Sequence, residues 1–285
     1  MVKKNLNALL DKIIPHRLWV QSAFLLLWLD PLSLRLHNIC SPVFHCYACP
    51  LATFACPIGV IAQFGALQMF PFIAVGLLIT IAAVFGSLIC GWLCPFGWLQ
   101  DLAAKVPTPR FKLPSWTGHF RYLILIATVL LIPYFFGESH PLFICRICPA
   151  GALEKALPDI ITQAVTGEKI IWPNAIKLTI LTVFIVAIFI TIRPWCRILC
   201  PLGAIFGVFN KFSIFAMRLD DEKCTDCGHC RTICSYGRQP DKDPNGSACM
   251  RCLECTKCAP KALTLNTIFE PTGTSEPETA SPSNS

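Results

Sequence analysis

This sequence is short of charge. Only 14% of its 285 residues are Asp, Glu, Lys or Arg, against about 25% in an ordinary soluble domain. Residues 71–89 carry no charged side chain, and residues 37–57 carry neither Lys nor Arg. The basic residues present stand in ones and twos. The formal charge of +7 therefore makes no basic patch, and no nucleic-acid partner is expected. A C-x-x-C-H haem-attachment motif is missing. So is a small-residue cleavage site behind Lys3, Lys4, Lys12 and Arg17, because "DPLSLRLHNIC" follows the first apolar stretch; that stretch reads as a retained span, not a removed signal. "HNIC" also lacks the small residues that a lipid anchor at Cys40 would need.

What fills the space is apolar: 54% of the chain is hydrophobic. A span needs about 20 mostly apolar residues, and four stretches are expected to cross a bilayer: 18–36, 71–89, 120–137 and 175–192. Residues 58–70 are too short to cross and are expected to lie in the interface or re-enter. Lys and Arg are concentrated before residue 18, in the loop 90–120 and after residue 192, which the positive-inside rule places in the cytoplasm. Loops 37–57 and 138–174 then face outward and both ends lie inside. Trp92, Trp98, Trp116, Trp172 and Trp195 read as interfacial anchors.

The domain reading follows: a cytoplasmic N-terminal segment (1–17), a transmembrane four-helix domain (18–218), a cytoplasmic Cys-rich module (219–265), and a Pro/Ser/Thr/Glu tail (266–285) with too little to bury to fold. A repeat runs through the apolar part. "CPIG" at Cys56, "CPFG" at Cys94, "CPAG" at Cys148 and "CPLG" at Cys200 fall alternately on the outer and inner faces, as two duplicated two-span units would place them.

Eighteen cysteines in a chain of this size point to metal more than to a disulfide framework. "CTDCGHCRTIC" sets Cys224, Cys227, Cys230 and Cys234 at C-x2-C-x2-C-x3-C spacing, and "CMRCLECTKC" sets Cys249, Cys252, Cys255 and Cys258 at C-x2-C-x2-C-x2-C. Paired zinc sites are the alternative, since C-x2-C pairs also bind zinc. At the cytoplasmic ends of two spans, "CGWLC" (Cys90, Cys94) and "CRILC" (Cys196, Cys200) are each followed by Pro. Cysteines four apart share one face of a helix, so two such pairs offer four thiolates to a candidate inner metal or cluster site; buried free cysteines packing as small hydrophobes are the alternative. On the outer side Cys40, Cys46, Cys49 and Cys56 join Cys145 and Cys148. By symmetry Cys49, Cys56, Cys145 and Cys148 make a candidate outer site. Redox-active dithiols and structural disulfides stay open there. Asp30 is a candidate for proton or quinone traffic or simply ends the first helix beside Pro31. His37, His45, His119 and His140, near the interfaces, are candidates for quinone or haem contact or ordinary surface groups.

The tail resembles a two-cluster bacterial ferredoxin. That resemblance implies a 4Fe-4S cluster on Cys224, Cys227, Cys230 and Cys258 and a second on Cys249, Cys252, Cys255 and Cys234. Ser235 stands where that family prefers Pro, and the last cysteine follows after two residues, not three. With the two C-x3-C-P motifs, the chain resembles the membrane-bound polyferredoxins of the NapH/NosR type. The fold class expected is mainly α: a four-helix transmembrane domain of two duplicated two-span units, then a small α+β two-cluster ferredoxin-like module. The resemblance implies an iron–sulfur electron-transfer protein in the cytoplasmic (inner) membrane of a bacterium or archaeon, oxidising quinol or linking cytoplasmic clusters to a periplasmic reductase. The lipid bilayer, the quinone pool and redox partner subunits are the expected partners. A thiol-disulfide reductant transporter and a maturation or redox-sensing platform for a metalloenzyme are the alternatives.

Overall fold

The computed structural model describes residues 12–29, 56–111, 113–153, 175–258 and 261–268, with a few isolated positions between 160 and 167. The chain is mainly helical. Helix α1 (Arg17–Leu29) is followed by α2 (Pro57–Ala66), α3 (Phe72–Phe85), α4 (Leu88–Trp92) and α5 (Pro95–Ala103). A continuous helix α6 (Trp116–Phe136) leads to α7 (Ile144–Ile147), α8 (Pro149–Gly151), α9 (Ala175–Ile190), α10 (Pro194–Ile198) and α11 (Pro201–Phe209). Strand β1 (Phe215–Leu219) pairs antiparallel with β2 (Leu263–Thr267), with Phe215 opposite Thr267 and Leu219 opposite Leu263. Between them lies the short helix α12 (His229–Ile233). β1 runs across residue 218, the expected edge of the Cys-rich module, so the ribbon that closes the module begins within the stretch read as membrane.

Among the described residues one helix, α6, is long and apolar enough to cross a bilayer. Helices α3 and α9 have 14 and 16 residues, or roughly 21 and 24 Å at about 1.5 Å per residue, short of about 30 Å of hydrocarbon. The stretch 71–89, expected as one span, is broken at Gly86. Its φ of 55° is left-handed, and a Cβ there would lie 2.7 Å from Asn210 Oδ1 and 2.8 Å from Arg251 Nη1. Glycine is required on both counts. The stretch 58–70 is a helix and turn, α2 leading through Pro71 into α3, with Val60 packed on Ala74. Residues 125–131 of α6 wind as a π-helix. Pro133, just beyond, has no N–H to give Val129 O in an α-helical ladder.

The largest apolar cluster joins Leu78 and Ala82 of α3, Phe184 and Ile188 of α9, Phe96 of α5 and Phe206 of α11 to Cys90, Cys94, Cys196, Cys234 and Cys252. Phe96 stacks on Phe184 at 4.8 Å, and Trp195 meets Phe184 edge-on at 6.3 Å. This ladder ties the two halves of the repeat together where their cysteines lie. Trp92 and Trp195 are buried, which corrects their reading as interfacial anchors; of the four described, only Trp116 is well exposed.

Candidate iron–sulfur sites

The two C-x3-C-P motifs fold identically. Cys90 sits in α4 and Cys196 in α10, while Cys94 and Cys200 are the residues immediately before α5 and α11. Each pair therefore straddles a helix break and does not share one helical face, because proline drives the residue before it out of the α region and is itself favoured at the first helical position. Cys94 has φ −68°, ψ 115°, and Cys200 φ −72°, ψ 112°; Cys148, in the third tetrad, repeats the conformation at −72° and 118°. At such a helix start the sulfur meets free amides: Gly203 N–H donates to Cys200 Sγ at 3.4 Å. Gln100 Nε2 donates to Cys196 Sγ at 3.1 Å. The structure brings Cys90, Cys94, Cys196 and Cys200 into one cluster. Burial pushes the Cys94 thiol up to about 12, against the Gly97 amide and Arg193, so ion binding here would displace protons.

A buried ionic knot lies beside the quartet. Arg193, in the left-handed conformation at φ 49° and fully buried, donates from Nε to Asp101 Oδ1 at 2.7 Å, from Nη2 to Oδ2 at 2.5 Å, and from Nη1 to Cys90 O at 2.8 Å. Arg17 donates to the same Oδ2 at 2.5 Å and lies 3.5 Å from Glu254 of the Cys-rich module. Burial opposes ionisation of Asp101, but the two guanidiniums outweigh it and hold the carboxyl below its ordinary range. A Cβ on Gly97 would stand 3.2 Å from the Arg193 guanidinium. Arg193 and Arg197 both count toward the cytoplasmic charge in the sequence; Arg193 is the group that organises this core, and Arg197 is also buried, donating to Leu113 O at 3.2 Å.

The module's eight cysteines sort into two groups of four. Cys224, Cys227, Cys230 and Cys258 line one cavity together with Asp226 and Asp241. Cys234, Cys249, Cys252 and Cys255 line another with Tyr236 and Arg251. The two C-x2-C-x2-C loops share a backbone device: Asp226 and Gly228 on the first, Arg251 and Leu253 on the second, are left-handed at matching positions. Each reversal turns successive cysteines toward one centre. Backbone amides point at sulfur, Arg251 N–H to Cys249 Sγ and Arg238 N–H to Cys234 Sγ, both at 3.4 Å. Four thiols with backbone amides aimed at sulfur are a donor set that fits an iron–sulfur cluster.

The module is bolted to the helices by arginine. Arg251 is buried, donating from Nη1 to Phe85 O, Ser213 Oγ and Phe215 O at 3.2, 2.7 and 2.5 Å, and from Nη2 to Asn210 O and Asn245 Oδ1 at 2.5 and 3.1 Å. Its partners are the open carbonyl end of α3, the end of α11 and the start of β1. Arg121 Nη2 donates to Ser247 O at 2.6 Å. Asn210 Nδ2 donates to Cys249 O at 2.9 Å, and Trp92 Nε1 to Arg251 O at 3.2 Å. None of Arg17, Gln100, Asp101, Arg121, Arg193, Asn210 or Arg251 was marked out by motif spacing. The one hint is that polar residues are scarce here, so each needs a reason.

Of the expected outer cysteines, Cys56 and Cys145 pack in one apolar cluster with Phe143 and Ile144, while Cys148 lies against the cluster that holds the quartet. Cys40, Cys46, Cys49, Asp30, His37, His45 and Trp172 lie outside the described residues. His119 Nδ1 pairs with Trp116 O at 3.0 Å and His140 Nδ1 accepts from Leu142 N–H at 3.2 Å, both local surface contacts.

Comparison with known proteins matches the chain twice to one family, described as a 4Fe-4S binding domain, over residues 67–114 and 175–219. Each matched stretch contains one C-x3-C-P motif, so the match falls on the repeat and its quartet. An uncharacterised protein of Methanocaldococcus jannaschii, MJ0750, is 27% identical over 82% of this chain and 96% of its own length. The ferredoxin-type protein NapH of Haemophilus influenzae is 29% identical over 70% of this chain and 70% of its own. The regulatory protein NosR of Stutzerimonas stutzeri is 30% identical over 60% of this chain but only 24% of its own length. No solved structure matches. The matched 4Fe-4S repeat and these relatives make the chain similar to the ferredoxin-type proteins NapH and NosR.

Proposed function

We propose that the chain is a membrane-integral iron–sulfur electron-transfer protein that passes electrons between the quinone pool, its cytoplasmic ferredoxin-like module and a periplasmic redox partner. The observation that carries this reading is the sorting of eight module cysteines into two four-thiol cavities set on a third four-cysteine group. Cys224, Cys227, Cys230 and Cys258 would hold one 4Fe-4S cluster, Cys234, Cys249, Cys252 and Cys255 another, and Cys90, Cys94, Cys196 and Cys200 an inner centre. Such clusters supply one-electron transfer at potentials set by hydrogen bonds to sulfur, local charge and exposure. The chain contributes the rest: amides and Gln100 aimed at sulfur, buried arginines, and apolar walls that exclude water. Cys56, Cys145 and Cys148, with Cys49, are the candidate outer ligands. Electron transfer is supported by two relatives, the ferredoxin-type protein NapH and the putative electron transport protein YccM of Escherichia coli.

Membrane integration is supported by the faces that α3, α6 and α9 leave bare. Phe72 and Ile73, Phe135 and Phe136, and Val183 and Val186 are all more than half exposed, a broad apolar surface of the kind that marks lipid contact. Thr80, Thr128, Thr179 and Thr182 each donate to the carbonyl four residues back, which satisfies hydroxyls where no water is at hand. Val183→Arg is expected to lower the membrane-inserted fraction of the full chain steeply, since an arginine at mid-helix costs about 2.5–3.5 kcal/mol. Alkaline extraction of membranes reads the result, and full retention of the variant would count against α9 as a lipid-facing helix.

Iron and acid-labile sulfide measured anaerobically on the full chain test the whole assignment. Three 4Fe-4S centres give about twelve irons per chain, and the Cys196→Ser/Cys200→Ser double variant is expected to lose about four of them while leaving the module's share. About eight irons in both proteins would remove the inner centre from the proposal.

A further inference from the structure

The ionic knot of Arg17, Asp101 and Arg193 is a buried charge assembly among the described residues whose effect on each centre is still to be assigned. Arg193 touches both sides of a boundary. On one side its Nη1 holds Cys90 O, and its partner Asp101 follows Gln100, the donor to Cys196 Sγ. On the other its guanidinium lies 5.9 Å from the ring of Tyr236, a buried residue lining the second module cavity. Arg17, on the same carboxylate, reaches Glu254, which lines that cavity too. Cys234 and Cys252 share the apolar cluster of Cys90, Cys94 and Cys196. The first cavity is placed otherwise. Cys230 and Cys258 belong to another cluster, with Ile14 and Trp92, that meets the second cavity through Met217, Leu253 and Cys255 but includes none of the quartet; Cys227 is exposed, and the charges beside it are Asp226 and Asp241.

We propose that Arg193, held by Asp101, is a positioning residue that sets the reduction potential of both the inner cysteine quartet and the second module cavity, making them adjoining redox stations and leaving the first cavity as the remote, solvent-facing one. The inference rests on the iron–sulfur reading above. A buried cation favours a centre's more negative, reduced form. Its influence is strong through a water-free core and falls off with distance and screening. Arg193 acts within the core shared by the quartet and the second cavity, and the first cavity lies outside it with an open side. Asp101 partly cancels the cation, so deleting either charge should shift the same two centres in opposite directions.

The test is a redox titration of the full chain followed by electron paramagnetic resonance, with signals assigned by Cys200→Ser, Cys255→Ser and Cys227→Ser for the quartet, second cavity and first cavity. Arg193→Gln is expected to make the quartet and second-cavity centres harder to reduce by about tenfold in equilibrium constant, which is about 59 mV for one electron, with the first-cavity centre unmoved. Asp101→Asn, which leaves no buried anion and guards against a folding failure of the first variant, should shift the same two centres the other way. With iron at the wild-type level, an equal shift of all three centres, a shift confined to the first cavity, or none would overturn the inference and leave the iron–sulfur reading standing. A chain with no iron lost in Cys200→Ser would overturn the inner centre and this inference together.

Discussion

Arg251→Leu is expected to detach the Cys-rich module from the helical domain. The guanidinium makes four hydrogen bonds to groups at the ends of α3 and α11 and the start of β1 and a fifth to Asn245 within the module, and no carboxylate among the described residues pairs with it. A hydrogen bond to a charged group is worth about 1.5–3 kcal/mol, and an acceptor left buried without its donor costs about 1–3 kcal/mol. Even with relaxation and partial rehydration, about 4 kcal/mol or more is at stake in a chain whose whole stability is of order 10 kcal/mol. The expected readout is rapid tryptic cleavage within 214–262 and loss of module iron at a temperature the parent tolerates. Arg251→Lys should fall between the two, because an ammonium has three donors and no planar fork to bridge carbonyls on different elements. Unchanged proteolysis in both variants would show that the module is held by something other than this staple.

Gly207→Ala and Gly91→Ala should fail for a different reason, at the same seam. A Cβ on Gly207 would stand 2.2 Å from Ser247 O, and one on Gly91 2.5 Å from Met250 O. Both obstacles are backbone of the loop 246–251, which leads into and carries Cys249, so the helix and the cluster loop cannot both keep their places. Overpacking typically costs about 1–3 kcal/mol, occasionally more, and here the strain falls on the second cavity first. Iron and visible absorbance from that cavity should drop while those of the first cavity persist. Gly76→Ala is the control: nothing lies within 4 Å of its would-be Cβ in α3, and alanine in a helix interior gains about 0.5–1 kcal/mol. Should Gly207→Ala retain full iron, the close approach of α11 to the loop would not be what seats the cavity.

Both effects concern a seam that motif reading does not reveal. The grouping of Cys234 with Cys249, Cys252 and Cys255 comes from the ferredoxin resemblance, and the structure gathers those four around one cavity. The helix breaks at Cys94 and Cys200 are legible in the Pro that follows each, because proline restricts its neighbour wherever it occurs. The lengths of α3 and α9 were not legible. Hydropathy sees uninterrupted apolar residues through 89 and 192, whereas Gly86 turns the chain to make room for Asn210 and Arg251, more than a hundred residues away.

What the sequence determined by itself is local: which cysteines share a loop, where a tetrad starts a helix, which stretches are too apolar for water, and that the apolar part is a repeat. Spacing and proline act over a few bonds, so they carry that information in one dimension. The tertiary structure alone decided where charge goes. Arg193 and Arg251 look like two more members of a sparse basic population, and Asp101 like an ordinary loop acid. Their roles appear only when residues some 90 to 170 positions apart meet in a dry core, because a buried charge is tolerable only beside partners that folding brings to it.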